Sequence, residues 1–86
     1  MIIFENIITF AYMSQLEKNI LDYLVALISE FAARFDISQE RAYNYIREYK
    51  GLEFFFAHYN IMHTLSFDDN VDAIARLCSN NGGMLR

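Results

Sequence analysis

Residues 14–35 read SQLEKNILDYLVALISEFAARF, and this stretch decides the fold class. Ser14 stands three residues before Glu17, the spacing of a capping box, in which the two residues satisfy each other's free backbone donors. Leu16, Ile20, Tyr23, Leu24, Leu27, Phe31 and Phe35 then recur at helical spacing. At about 100° per residue they fall within one half of the helix cylinder. Leu21, Val25, Ile28 and Ala32 widen that arc, and Lys18, Asp22, Ser29 and Glu30 remain as the polar side. A helix apolar over more than half its circumference packs on several sides. The stretch is therefore expected to be a long, central first helix of an all-α bundle.

Outward from it, the punctuation comes from caps, because the chain has no proline and only three glycines. The break at Phe35-Asp36-Ile37 is followed by Ser38, which starts a second helix over about 39–50. Ser66 precedes a last helix over about 67–80, with Asp68, Asp69 and Asp72 near its positive end. Gly51 and the Gly82-Gly83 pair read as helix ends. Between them lies a third helix over about 52–59. The second helix is expected to bury Ala42, Tyr45, Ile46 and Tyr49, and the last Phe67, Val71, Ile74 and Cys78. In the third, Leu52, Phe55, Phe56 and Tyr59 make the core stripe at i, i+3, i+4, i+7 spacing, which leaves Phe54 pointing away. The reading is a small single-domain bundle of about four helices over 14–86, preceded by an apolar extension, 1–13.

The chain has 86 residues, room for one domain and one core. Apolar residues make up 55% of it, with six Tyr and eight Phe. A domain this small cannot bury all those rings. They form either a large core edged with tyrosines or a surface for a partner or for self-association. The net charge of −4, with scattered basic residues, argues against nucleic-acid binding, which needs clustered Lys and Arg. A single cysteine, Cys78, excludes an internal disulfide and a Cys-rich zinc site, and it fits a reducing, cytoplasmic setting. The opening residues, MIIFENIITFAY, lack the basic start and cleavage site of a signal peptide and are too short to span a membrane. They are expected to dock on the bundle or on a neighbouring copy.

Residues that could carry chemistry are few. His58 and His63 lack the spacing of a metal pair, so no metal or other cofactor is expected. Thr64 beside His63 is only a sequence neighbour, Ser66 is occupied as a cap, and no phosphate-cradling glycine loop occurs. No catalytic residue is assigned. His63, in the connection before the last helix, is expected to be largely buried and bonded to backbone or a nearby side chain.

The string Tyr59-Asn60-Ile61-Met62-His63-Thr64 resembles a known family, the small bacterial domain-of-unknown-function family numbered 3791, which shows a Tyr, three residues later a Leu or Met, then His-Thr. The likeness extends upstream through Tyr43-Asn44-Tyr45-Ile46, Tyr49, Leu52 and Phe55 to Ile28-Ser29-Glu30, and downstream to Val71 and Ile74. It covers roughly residues 20–76. The resemblance implies a compact helical bacterial protein, and Tyr59, Met62, His63 and Thr64 as its motif. It carries no activity. Members of that family often lie beside a gene for another small protein, which implies a toxin–antitoxin-like or other paired role. The family pattern starts near Met13-Ser14, so residues 1–12 read as an extension that reflects an upstream start codon rather than a functional element.

The expectation is a non-catalytic module that binds a protein partner or itself, with Phe54 and Tyr43 on the contact surface. The alternative is a small-ligand-binding or catalytic protein with a pocket around His63.

Overall fold

A computed structural model describes residues 14–85. The expectations for the extension 1–13 concern residues outside that range. Four helices follow one another: α1 (Gln15–Phe35), α2 (Gln39–Glu48), α3 (Gly51–Met62) and α4 (Phe67–Asn80). No strand occurs among the described residues, and none of these helices is long and apolar enough to cross a membrane.

The three serines cap as their spacing requires. Ser14 Oγ accepts from the Glu17 amide at 3.1 Å, Ser38 Oγ from Arg41 at 3.0 Å, and Ser66 Oγ from Asp69 at 3.1 Å. Each satisfies one of the donors a helix start leaves open, a contribution of about 1 kcal/mol. Two helices end in the same left-handed turn. After α1, Asp36 takes φ 54, and the amides of Asp36 and Ile37 donate back to Ala33 and Ala32. After α4, Gly82 takes φ 93, and Gly82 and Gly83 donate to Ser79 and Cys78. These are the paired bonds of a Schellman ending.

The core joins Leu24, Leu27, Ile28, Phe31 and Ala32 of α1 to Ala42, Tyr45 and Ile46 of α2, Phe55 and Met62 of α3, and Val71, Ile74 and Cys78 of α4. α1 is the longest helix and packs against α2 and α4. It meets α3 through the Tyr23 ring, which lies against Phe55 and Tyr59. α4 touches all three other helices. At the far end of α1, Arg34 binds the carboxylates of Asp72 and Asp68, tying α1 to the start of α4. The acids thus face a cation as well as the helix dipole. Hydrogen bonds from Arg34 to Asp72 and then Asp68 raise the guanidinium pKa further. The cluster is exposed, so Arg34→Gln should lower the melting temperature slightly at low ionic strength. The difference should vanish near 1 M salt, where screening acts over about 3 Å. A shift of equal size at both salt concentrations would mean that Arg34 acts through packing instead.

The second helix stops earlier than its sequence pattern suggests. Tyr49 caps it, and the left-handed residue in the connection is Lys50 (φ 75), not Gly51. Gly51 is instead the buried first residue of α3. A Cβ there would sit 2.5 Å from Ile46 Cγ2, 2.9 Å from the Ile46 carbonyl oxygen and 3.2 Å from Cys78 Sγ. The glycine is needed for close approach, not for a positive φ.

Candidate functional site

The family-like motif lies where α3 gives way to α4. A helix end leaves its last carbonyls without partners, and this turn contains no glycine or proline to resolve it. Side chains do so. His63 Nδ1 lies 2.8 Å from the Tyr59 carbonyl, so Nδ1 carries the proton, and the imidazole stacks on the Tyr59 ring at 4.8 Å. Thr64 Oγ1 donates to the Ile61 carbonyl at 2.6 Å. The third acceptor, the Met62 carbonyl, takes Leu65 N–H at 3.0 Å, Asn70 Nδ2 at 2.7 Å and the Tyr23 hydroxyl at 3.3 Å. Asn70 Nδ2 also donates to the Tyr23 hydroxyl at 2.6 Å. Tyr59, Met62, His63 and Thr64 therefore form one helix-ending device, locked to α1 and α4 through Tyr23 and Asn70.

His63 differs from its expectation in one respect. It bonds backbone as expected, but it is exposed rather than buried. The motif residue that enters the core is Met62, while its neighbour covers the outside of the turn. His63 lines neither the hollow at Phe35, Tyr45 and Leu85 nor the one between α1 and α3.

Asn70 is the residue that sequence reasoning missed. It is 1% exposed, the sole buried polar residue among those described. The signal was there: Phe67, Asn70, Val71, Ile74 and Cys78 fall on one side of α4 at three- and four-residue steps, with Asn70 inside the apolar stripe.

Phe54 and Phe56 exchange the places expected of them. Phe54 is half-buried, packs against the core and lies 4.6 Å from the His58 ring, whereas Phe56 is 52% exposed. The buried residues of α3 are Gly51, Phe55 and Met62. At about 100° per residue their mean direction lies some 20° from Phe55 on the Phe54 side, and that turns Phe56 out. The expected stripe lacked Gly51, read as a stop, and Met62, which lies beyond the expected end. The helix leaves regular geometry once, at His58 (φ −120, ψ 16). Tyr43 is exposed, with the Arg47 guanidinium 5.8 Å above its ring.

Cys78 is fully buried, and burial pushes its thiol up to about 11, partly offset by the Gly51 amide. Burial, then Cys78 and Tyr49, raises the nearby Tyr45 phenol as well. Both groups favour their neutral forms in the fold. Their contribution is complete below the unfolded-state values and is lost as pH rises, for Cys78 between about 9 and 11. Two outcomes follow. Stability should decline across that alkaline window, and Cys78→Ser should flatten the decline. At pH 8 a disulfide reagent should modify Cys78 at least about a hundredfold more slowly in the fold than in denaturant. Equal rates would contradict the burial.

The surface of the described residues carries hollows, two of which stand out. One, of about 400 Å³, lies among Phe35, Tyr45, Ala75, Ser79, Met84 and Leu85 and is wide open. The other, of about 250 Å³, lies between α1 and α3 and is lined by Glu17, Ile20, Leu21 and Phe56. Elsewhere on the first half of α1, Leu16 is 58% and Val25 63% exposed, on opposite sides of the helix. No group of three or more His, Cys, Asp or Glu side chains suited to a metal converges among the described residues.

A family model described as "Protein of unknown function (DUF3791)" matches residues 22–81. The chain belongs to this family. The match begins at Asp22, where α1 enters the core, and ends just past α4, so the family's common part is the packed bundle. The first two turns of α1 lie outside it. No curated protein and no solved structure matches the chain.

Proposed function

We propose that this DUF3791 protein is a non-catalytic, cytoplasmic interaction module that binds another protein, as one half of a toxin–antitoxin-like bacterial gene pair. The observation that carries the reading is the apolar strip formed by Ile20 and Leu21 of α1 and Phe56 of α3, which line one hollow with Leu21 and Phe56 exposed. Exposed apolar side chains are ordinary when scattered, but grouped around a concavity they mark a contact surface. Tyr43 with Arg47 adds a second exposed aromatic site on α2. Phe54 contributes to the fold more than to that surface, because it packs inward. The buried Cys78, chemically quiet, suits a reducing compartment.

The test is affinity capture from the native cell with mass spectrometry, using the full chain and its Phe56→Asp variant in parallel. The reading requires a stable protein partner that is recovered with the wild-type chain and lost with the variant, at unchanged melting temperature. The same proteins recovered with both, or none with either, would refute it.

A further inference from the structure

Of the seven asparagines, only Asn81 is followed by glycine. Glycine has no side chain to bar its backbone nitrogen from the side chain before it. The pair therefore holds all the atoms of a spontaneous deamidation. The Gly82 nitrogen attacks Cγ of Asn81 and an N–Cγ bond forms. The Cγ–Nδ2 bond breaks as ammonia leaves with the Gly82 proton. Water then opens the cyclic imide. Addition at Cγ gives aspartate, and addition at the main-chain carbonyl carbon gives isoaspartate, with the chain rerouted through the side chain. The sum is amide plus water going to carboxylate plus ammonium, so no oxidant or reductant takes part.

The fold holds every reacting group off this path. Asn81 closes α4 at φ −89, ψ 12, a setting that turns the Gly82 nitrogen away from the Asn81 side chain. Gly82 N–H donates to the Ser79 carbonyl at 3.0 Å, and Gly83 N–H to the Cys78 carbonyl at 2.9 Å. Asn81 Nδ2 donates to the Tyr49 carbonyl at 3.1 Å, which joins the end of α4 to the end of α2. Yet Asn81 and Gly82 are exposed and stand at a helix end, where local opening takes the least free energy. The products do not fit the closed turn. Aspartate at 81 has no proton for the Tyr49 carbonyl and sets a negative charge at the negative end of α4. Isoaspartate adds a carbon to the backbone before Gly82, which displaces the paired turn bonds. We propose that Asn81-Gly82 is a deamidation site gated by fraying of the end of α4. Its products leave the cap unmade, so the reaction irreversibly loosens the corner between α2 and α4, and with it Leu85, which packs on the core.

The full chain is incubated in mildly alkaline buffer, with and without denaturing urea, and the tryptic peptide over 77–86 is followed by mass spectrometry. Asn80, in the same peptide and followed by a residue with a side chain, is the internal reference. In urea, Asn81 should convert at least about tenfold faster than Asn80. Without urea it should convert at least about tenfold more slowly than in urea, because the reaction tracks the open fraction. Gly83→Ala leaves the reacting pair intact. Its Cβ would stand 2.6 Å from the Tyr45 hydroxyl and 2.9 Å from the Cys78 carbonyl, so it prises the cap open. Folded Gly83→Ala should react at least about fivefold faster than folded wild type, and at the same rate in urea. Should that variant fail to fold, the wild-type rates still decide. Asn81→Asp, one of the two products, should melt about 4–8 °C below wild type, the shift for one lost link. Equal rates for the wild type with and without urea would remove the gate and overturn the proposal. So would conversion that begins only where circular dichroism shows global unfolding, or a folded Gly83→Ala no faster than wild type. An Asn81→Asp chain as stable as wild type would overturn the irreversible loosening.

Discussion

Asn70→Ala is expected to lower the stability of the domain by about 2–4 kcal/mol, a drop in melting temperature of about 10–25 °C. The amide of Asn70 holds the last carbonyl of α3 and the hydroxyl of Tyr23 at once, within 2.7 Å of each. Truncation leaves the Met62 carbonyl dependent on Leu65 N–H and a longer bond from Tyr23, and it opens a cavity in a fully packed place. Tyr23→Phe removes one arm and should cost about 1 kcal/mol. If the three groups act as a unit, the double variant costs less than the sum of the singles by 0.5 kcal/mol or more, on the order of coupling seen within one network. Thermal and urea unfolding of the four chains measure this. A melting temperature for Asn70→Ala within a few degrees of wild type would show that the corner does not depend on the link.

Gly51→Ala should also be severe for so small a change, at about 2–3 kcal/mol. In an ordinary first helical turn, replacing glycine with alanine gains up to about 1 kcal/mol. Here the new methyl meets the Ile46 side chain and, at 2.9 Å, the Ile46 carbonyl. A side chain can turn aside, but a backbone oxygen inside its own helix cannot move without carrying that helix along. Overpacking of this kind costs about 1–3 kcal/mol, and the overlap with backbone puts the site at the upper end. Gly51→Ala combined with Ile46→Val frees the side-chain clash only, so it should recover part of the loss and leave the remainder to the carbonyl. A neutral Gly51→Ala would place α2 and α3 farther apart than the structure does.

The fold class was legible from local signals that nothing overrides. Ser14, Ser38 and Ser66 cap because their hydroxyls reach the nearest free amides, and the long apolar arc of residues 16–35 has no other use in water. The misreadings share one origin. Glycine serves both for left-handed turns and for close approach, and a single sequence does not separate the two. Reading Gly51 as a stop shifted the start of α3 and rotated its expected buried face by enough to exchange Phe54 and Phe56. Ending that helix at Tyr59 then hid Met62, whose carbonyl organises the corner. His63 is expected inside, yet an exposed imidazole stacked on Tyr59 makes the bond to backbone without burial. Asn70 lies within an apolar stripe, but asparagine is rarely a core residue, so its type points outward while its position points inward. The strip on α1 was hidden for a different reason. Periodicity marks which side of a helix is apolar, but only the lengths of its neighbours decide how much of that side they cover.

The central claim is that Tyr59, Met62, His63 and Thr64 hold the fold together while the strip around Phe56 meets a partner. Binding of the captured partner to two full-length variants, Phe56→Asp and His63→Ala, measured in one titration alongside the wild type, tests it most directly. The exposed His63 side chain contributes one backbone bond and one stacking contact, so His63→Ala should cost about 1 kcal/mol of stability and leave affinity unchanged. Phe56→Asp should abolish binding without unfolding the domain. The opposite pattern, with affinity or turnover lost in His63→Ala at unchanged melting temperature and binding intact in Phe56→Asp, would contradict the account and move the working surface to the corner between α3 and α4.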